Sequence, residues 1–291
     1  MQEAKVIEIG CGEWGFRNLP MREHFEIARE FGFKWLEFGI GGDQIGRLSE
    51  FPQPNEIEDF KSLNEEYGIA TPFCCIENDF TLSDDNDHLK MLDKVKKQIL
   101  AAADCGAKQV RLFAGFTPVE EVNSEIWERM IKAFWDADQL CESLGLTIAI
   151  ETHGGITFDE EESAHHFNSV STDPNSLNCL IEQLPPRVGF NYDPGNIKAV
   201  RPGDKDCCLT IVNDRINYCH LKDWKRQGEG WVAVAIGDDD LDYRPIFENM
   251  NYKGVCLIEY EPLHDSRDGI HRSLNYLQRI EEQSQILEFI I

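Results

Sequence analysis

The sequence predicts an α/β fold, a closed (β/α)8 barrel spanning residues 1–291 as a single domain. Three observations carry that prediction. Short apolar strands alternate with amphipathic helices along the whole chain, which implies a parallel sheet. Eight such strands can be counted, and 291 residues suit a closed barrel, which needs about 250. In five of the units a glycine stands between the end of a helix and the start of a strand, where a left-handed residue closes the helix and frees the chain to turn.

The elements follow in order. Residues 6–10 form the first strand. Phe31-Gly32 precedes the strand KWLEFG, and Tyr67-Gly68 precedes IATPFCC. Leu92, Val95, Ile99 and Ala102 recur at helical spacing before Cys105-Gly106 and the strand AKQVRLF. Ile126, Met130, Phe134, Ala137, Cys141 and Leu144 make a longer apolar face before Gly145 and LTIAIE. Two strands start at Val188 and Ile216 after Pro-Pro-Arg and Asn-Asp-Arg, and the last, VCLIE, follows Lys253-Gly254. The strands are near-continuous apolar runs, as expected when both faces are covered. No linker divides the chain. Two irregular stretches, residues 154–171 with the acidic run 159–162 and residues 223–237, follow strands and read as loops or lids over the mouth.

Bulk composition removes several function classes. The net charge of −25 argues against a nucleic-acid partner, because phosphate backbones need a basic footprint. It also disfavours highly phosphorylated substrates. The N-terminal MQEAKVIEIG lacks a basic region followed by an apolar run, and no stretch reaches the roughly 20 apolar residues of a membrane span. The expectation is a cytoplasmic protein with no membrane partner, open to assembly as a homo-oligomer. The ten cysteines are scattered without a C-x-x-C and read as reduced, packed side chains. Gly39-Ile-Gly-Gly42 follows a strand, but the next glycine is Gly46, so the dinucleotide spacing fails.

Four strand-like segments of the second half end in potential metal ligands: Glu151, Asp193, His220 and Glu259, separated by about 27 to 42 residues. Each gap is roughly one strand–helix unit, so a barrel would aim all four at one point on its axis. Three carboxylates and an imidazole make a hard, oxygen-rich set that suits Mn2+ best and accommodates Mg2+, Co2+ or Zn2+. Each acid taken alone reads more readily as a salt-bridge partner or a loop cap; it is the four together, on successive strands, that point to a metal.

The motifs IAIETHGG, NYDPGN, YCHLKD and LIEYEP, with IGDDDLDYRPIFENMNYKG before the last strand, resemble the xylose-isomerase-like TIM barrel superfamily. That superfamily includes sugar isomerases, ketose 3-epimerases, inosose dehydratases and endonuclease-IV-type repair enzymes. The resemblance is strongest over residues 145–262. It implies that Glu151, Asp193, His220 and Glu259 bind a divalent metal, and that Glu151 and Glu259 flank the substrate as the catalytic pair. The expected reaction is isomerisation or epimerisation of a ketose or related polyol through an enediolate. A dehydratase acting on a keto-inositol, or a barrel that binds sugar without catalysis, are the alternatives. The repair chemistry is disfavoured by the charge.

Further residues are candidates for substrate contact. His153 can hydrogen-bond a hydroxyl or move a proton, or be a histidine fixed by local structure. Asn196 stands where ketose 3-epimerases of this type often carry histidine. Lys222 can polarise a substrate oxygen, or pair with Asp223 or a rim acid. Glu37, Glu77 and Arg111 are expected at or just beyond strand ends, ringing the same mouth. Glu261, two residues past Glu259, takes part if the strand register is shifted. Trp14 can wall a sugar face, whereas Phe113 reads as core.

Overall fold

The computed structural model describes residues 4–159 and 163–291. Of the acidic run 159–162, residues 160–162 lie outside the described residues. Eight parallel strands close on themselves: β1 (Lys5–Cys11), β2 (Trp35–Ile40), β3 (Ala70–Ile76), β4 (Gln109–Leu112), β5 (Thr147–Glu151), β8 (Gly189–Tyr192), β9 (Ile216–Leu221) and β12 (Val255–Ile258). Closure comes from β1 on β12, with Gly10 opposite Leu257 and Cys11 opposite Ile258. The architecture is the expected (β/α)8 barrel.

The helices pack outside this cylinder. α3 (Asp85–Asp104) buries Leu92, Val95, Ile99 and Ala102, and α4 (Ser124–Leu144) buries Ile126, Met130, Phe134, Ala137 and Cys141, the apolar faces read from the sequence. Gly32, Gly68, Gly106 and Gly145 take positive φ after their helices, as anticipated. Gly254 does not. It follows residues 250–253, which continue no helix, and a Cβ there would strike the Tyr252 ring. All ten cysteines are free thiols, most of them buried. Among the described residues no helix is long and apolar enough to cross a membrane.

Three features depart from the sequence reading. β13 (Leu287–Ile290) adds parallel to Lys5–Glu8 of β1 as a further strand. The two stretches read as irregular are hairpins: β6 (Gly155–Phe158) with β7 (Ala164–Phe167), and β10 (Asp223–Gln227) with β11 (Gly230–Val234). They join into one antiparallel sheet in the order β10-β11-β7-β6. Both follow barrel strands whose ends carry candidate ligands, so this small sheet belongs to the mouth.

Alternation along the strands sorts the barrel interior into layers. Phe73, Ala149, Tyr218, Val255 and Leu257 form a compact apolar cluster, with the Phe73 and Tyr218 rings 4.7 Å apart. Two residues further along the same strands stand Cys75, Glu151, His220 and Glu259. The apolar layer is thus the floor on which the polar groups rest.

Candidate metal centre

Glu151 is the last residue of β5, His220 lies in β9, and Asp193 and Glu259 immediately follow β8 and β12. All four are buried, and one ligand atom of each lies within 4.8 Å of those of the others. The sequence-predicted set therefore converges. Local structure fixes each member. Asp193 is the N-cap of helix α6 (Pro194–Val200), its Oδ1 accepting the Asn196 amide at 3.0 Å. Its own N–H donates to the Thr152 hydroxyl at 2.8 Å, tying β8 to β5. The Glu259 amide donates to the Leu221 carbonyl at 3.1 Å.

A second row orients the first. His220 Nε2 donates to Glu37 Oε1 at 2.9 Å. Its Nδ1 faces Glu259 at 3.4 Å and Glu151 at 3.6 Å and, among the described residues, has no hydrogen-bond partner. An imidazole with one nitrogen anchored on a carboxylate and the other bare among acids is arranged as metal-binding histidines are. Asn196 Nδ2 bridges Glu151 Oε1 (3.1 Å) and Asp193 Oδ2 (3.0 Å). Arg111 Nε meets Glu151 Oε2 at 3.1 Å, and Lys222 Nζ meets Glu259 Oε2 at 2.6 Å.

The electrostatics agree with a cation site. Burial opposes the charge of Glu151, but Arg111 and His220 outweigh it and hold the carboxyl at about 2. Glu259 is likewise held well below the ordinary carboxylate range by His220 and Lys222, against burial. Asp193 goes the other way: burial pushes it up to about 7, helped by the neighbouring Glu151 and Glu259 charges and opposed by Lys222. Three acids and an unsatisfied imidazole nitrogen around one point fit a hard divalent ion. Glu37, Cys75 and His220 form another close trio. There the imidazole is already bonded to Glu37, and burial keeps the Cys75 thiol protonated, so orientation of His220 is what that trio supplies.

Above the centre lies a cavity of about 210 Å3. Trp14, Phe113, Phe116, Ile156 and Phe158 make its apolar wall. Glu77, Arg111, His153, Lys222 and Glu261 present polar groups to it. His153 stands edge-on to Phe113 and Phe116, with centroids 5.0 and 5.6 Å away, and its amide donates to Ser171 Oγ at 3.1 Å.

The expectations divide accordingly. Glu77, Arg111, His153 and Lys222 reach the cavity, and so does Phe113, which the sequence reading assigned to core. Glu37 and Asn196 do not line it; both are fully buried. Glu37 is the third residue of β2 rather than its last, one pleat too low for the mouth. Asn196 is turned onto the carboxylates by its place in the first turn of α6. Lys222 pairs with Glu259 and with Glu261 (3.0 Å), whereas Asp223 is bonded to Lys198 at 2.7 Å. Glu13, Arg47, Phe116, Ile156 and Phe158 were not anticipated. The aromatic wall sits in loops and hairpins without a periodic signal.

A family model described as a xylose isomerase-like TIM barrel matches residues 25–280. An inosose dehydratase of Geobacillus kaustophilus (strain HTA426) is 25% identical over 161 residues, 49% of this chain and 48% of that protein, so the match spans about half the length of the curated relative. The crystal structure of a 3-keto-D-glucoside 4-epimerase from E. coli superposes with a TM-score of 0.69 at 16% identity, covering 95% of this chain and 99% of that one. A structure of the IOLI protein with a bound zinc atom gives 0.71 at 13% identity, covering 96% and 98%. Identities this low show likeness of fold.

Proposed function

We propose that this chain, which belongs to the xylose isomerase-like TIM barrel family, is a divalent-metal-dependent enzyme that moves a proton beside the carbonyl of a ketose or cyclic keto-polyol. The observation that carries the reading is the convergence of Glu151, Asp193, His220 and Glu259 beneath a walled cavity. These four residues would hold the ion. Mn2+ is the first choice for so oxygen-rich a set, and the zinc atom in the IOLI structure supports a divalent ion on this fold. Bound there, the ion would polarise the carbonyl and make the adjacent C–H more acidic.

The protein side chains supply the rest. Glu151 and Glu259 are the proton-handling pair, one taking the proton to leave an enediolate and the other returning it. In the resting protein Arg111 beside Glu151 and Lys222 beside Glu259 hold both as carboxylates. Glu151 takes the substrate proton, and the proton that Glu259 returns comes from the Lys222 ammonium in contact with it, which is recharged from solvent as Glu151 releases its own. His153, Glu77 and Arg111 read substrate hydroxyls, and the aromatic wall excludes water from the reacting carbon. Return of the proton to the same carbon from the opposite face gives an epimer. Return to the neighbouring carbon gives an isomer.

One observation favours dehydration as a second reading. The Lys222 ammonium faces the cavity between Glu259 and Glu261, where it can donate a proton to a departing hydroxyl. The inosose dehydratase relative points the same way. Both readings share the first proton transfer. The test is therefore exchange: Mn2+-loaded protein is incubated in D2O with a panel of ketoses and inososes, and deuterium beside the carbonyl is followed by NMR. Incorporation is expected, with product identity separating epimer, isomer and enone. Absence of both exchange and metal binding would leave a non-catalytic sugar-binding barrel.

A further inference from the structure

Arg47 reaches the mouth from a loop instead of a barrel strand. Residues 41–50 follow β2 and fold back along it, with the Gly41 amide donating to Leu48 O at 2.9 Å and the Leu48 amide to Gly39 O at 3.0 Å. The Arg47 side chain crosses over Gly39 and is fully buried. Its Nη1 donates to Glu77 Oε1 at 3.0 Å, its Nη2 to the Cys75 carbonyl at 2.9 Å, and its Nε faces Glu13 Oε1 at 3.3 Å. A Cβ at Gly39 would overlap the guanidinium, so the crossing requires glycine there. Glu77 Oε1 also receives Arg111 Nη2 at 3.1 Å, and Arg111 Nε continues to Glu151 Oε2 at 3.1 Å. Alternating acidic and basic side chains thus run from Glu13 through Arg47, Glu77 and Arg111 to the metal cluster. Within this chain the Glu77 side chain is 34% exposed, opening into the cavity, while the others are nearly or wholly buried.

We infer that Arg47 is a positioning residue: with Arg111 it grips one oxygen of Glu77, so that the other accepts a substrate hydroxyl one arginine removed from the metal cluster. The inference rests on the polyol reading above and adds that the substrate carries a hydroxyl, a donor, at this point. Arginine suits the task because its planar fork serves the Glu77 carboxylate and the Cys75 carbonyl in fixed directions while its Nε faces Glu13, which an ammonium cannot do.

Three single variants, Gly39→Ala, Arg47→Met and Arg47→Lys, and one double variant, Gly39→Ala/Arg47→Met, test this, each Mn2+-loaded, with D-fructose, D-psicose and scyllo-inosose as probes. Gly39→Ala retains every charge and displaces only the guanidinium. Loss of one charged hydrogen bond to substrate should raise KM by about 10- to 100-fold and leave kcat within about 3-fold. Mn2+ affinity, read by calorimetry, should stay within about 3-fold of native, because no ligand is touched. Arg47→Lys should recover part of the KM loss, and the Gly39→Ala/Arg47→Met double variant should be no worse than the poorer single one. A crystal structure of Gly39→Ala should show the Glu77 carboxylate moved. Native KM in a folded Gly39→Ala protein, or Glu77 undisplaced in its crystals, overturns the inference. If native protein turns over none of the three probes, it is the polyol reading that fails for them, and the crystal structure still decides the role of Arg47.

Discussion

His220 shows how one residue's environment selects its chemistry. Glu37 accepts the Nε2 proton at 2.9 Å, which turns Nδ1 toward Glu151 and Glu259 as the edge a metal would take in place of a proton. Glu37→Gln should keep the fold and weaken Mn2+ binding by about 10- to 100-fold in a calorimetric titration, the usual effect of losing a ligand's carboxylate support. Lys222 predicts the opposite sign. Its ammonium contacts Glu259 and competes with a cation for that carboxylate. Lys222→Met should therefore bind Mn2+ at least as tightly as native protein while losing about 100-fold or more in kcat. Weaker Mn2+ binding by Lys222→Met would show that the lysine assembles the site instead of competing for it. At this scale the sequence was informative where phase along a strand decided the outcome. Glu151, Asp193, His220 and Glu259 each close an apolar run at the same height. Glu37 was misjudged by two residues, a single pleat, and that pleat turns a cavity residue into a buried support. Arg47 and Glu13 left no local trace, since their contacts depend on loop crossings over a glycine.

Among the elements, the two hairpins carry the most consequence for the mouth. The segment DWKRQGEGWVAV has glycines at its centre, which read as a loop, yet Gly228 at φ 58° makes the turn that pairs Asp223–Gln227 with Gly230–Val234. A short polar hairpin that covers a barrel mouth buries too little to show clean alternation, so only pairing reveals it. β6 brings Ile156 and Phe158 to the cavity wall. Phe158 is 67% exposed and so adds little to folding. Phe158→Ala should shift unfolding in urea by less than about 0.5 kcal/mol, as expected for an exposed position. It should raise KM for a turned-over sugar, because an aromatic face over the ring is lost. Unchanged KM in that variant would make the hairpin a cover without a binding role. The helices, by contrast, were legible because α3 and α4 span five turns or more and bury one continuous stripe each.

For the whole molecule, the pH dependence of stability follows from groups whose burial forces a protonation state. His24 is fully buried, its Nε2 donating to the Phe16 carbonyl at 2.8 Å, and burial lowers its pKa from 6.5 to about 4 despite that bond. Above pH 6.5 it is neutral in both states and has no effect on the slope. As pH falls from 6.5 toward 4 the unfolded chain takes up a proton that the native protein refuses, so stability is lost across that window. Glu13 acts in reverse. Burial raises it to about 7, partly offset by Arg47, so the native protein binds its proton first and gains stability as pH falls from 7 toward 4.5. The two contributions oppose each other between about pH 4.5 and 6.5, which flattens the native profile. Removing one should expose the other. His24→Gln keeps an N–H for the Phe16 carbonyl and abolishes the titration. Its stability deficit relative to native protein, from urea unfolding, should shrink by about 2 kcal/mol between pH 7.5 and pH 5, the proton-linkage free energy for that displaced pKa. A deficit independent of pH would mean that His24 titrates normally and that the region around Phe16 admits water.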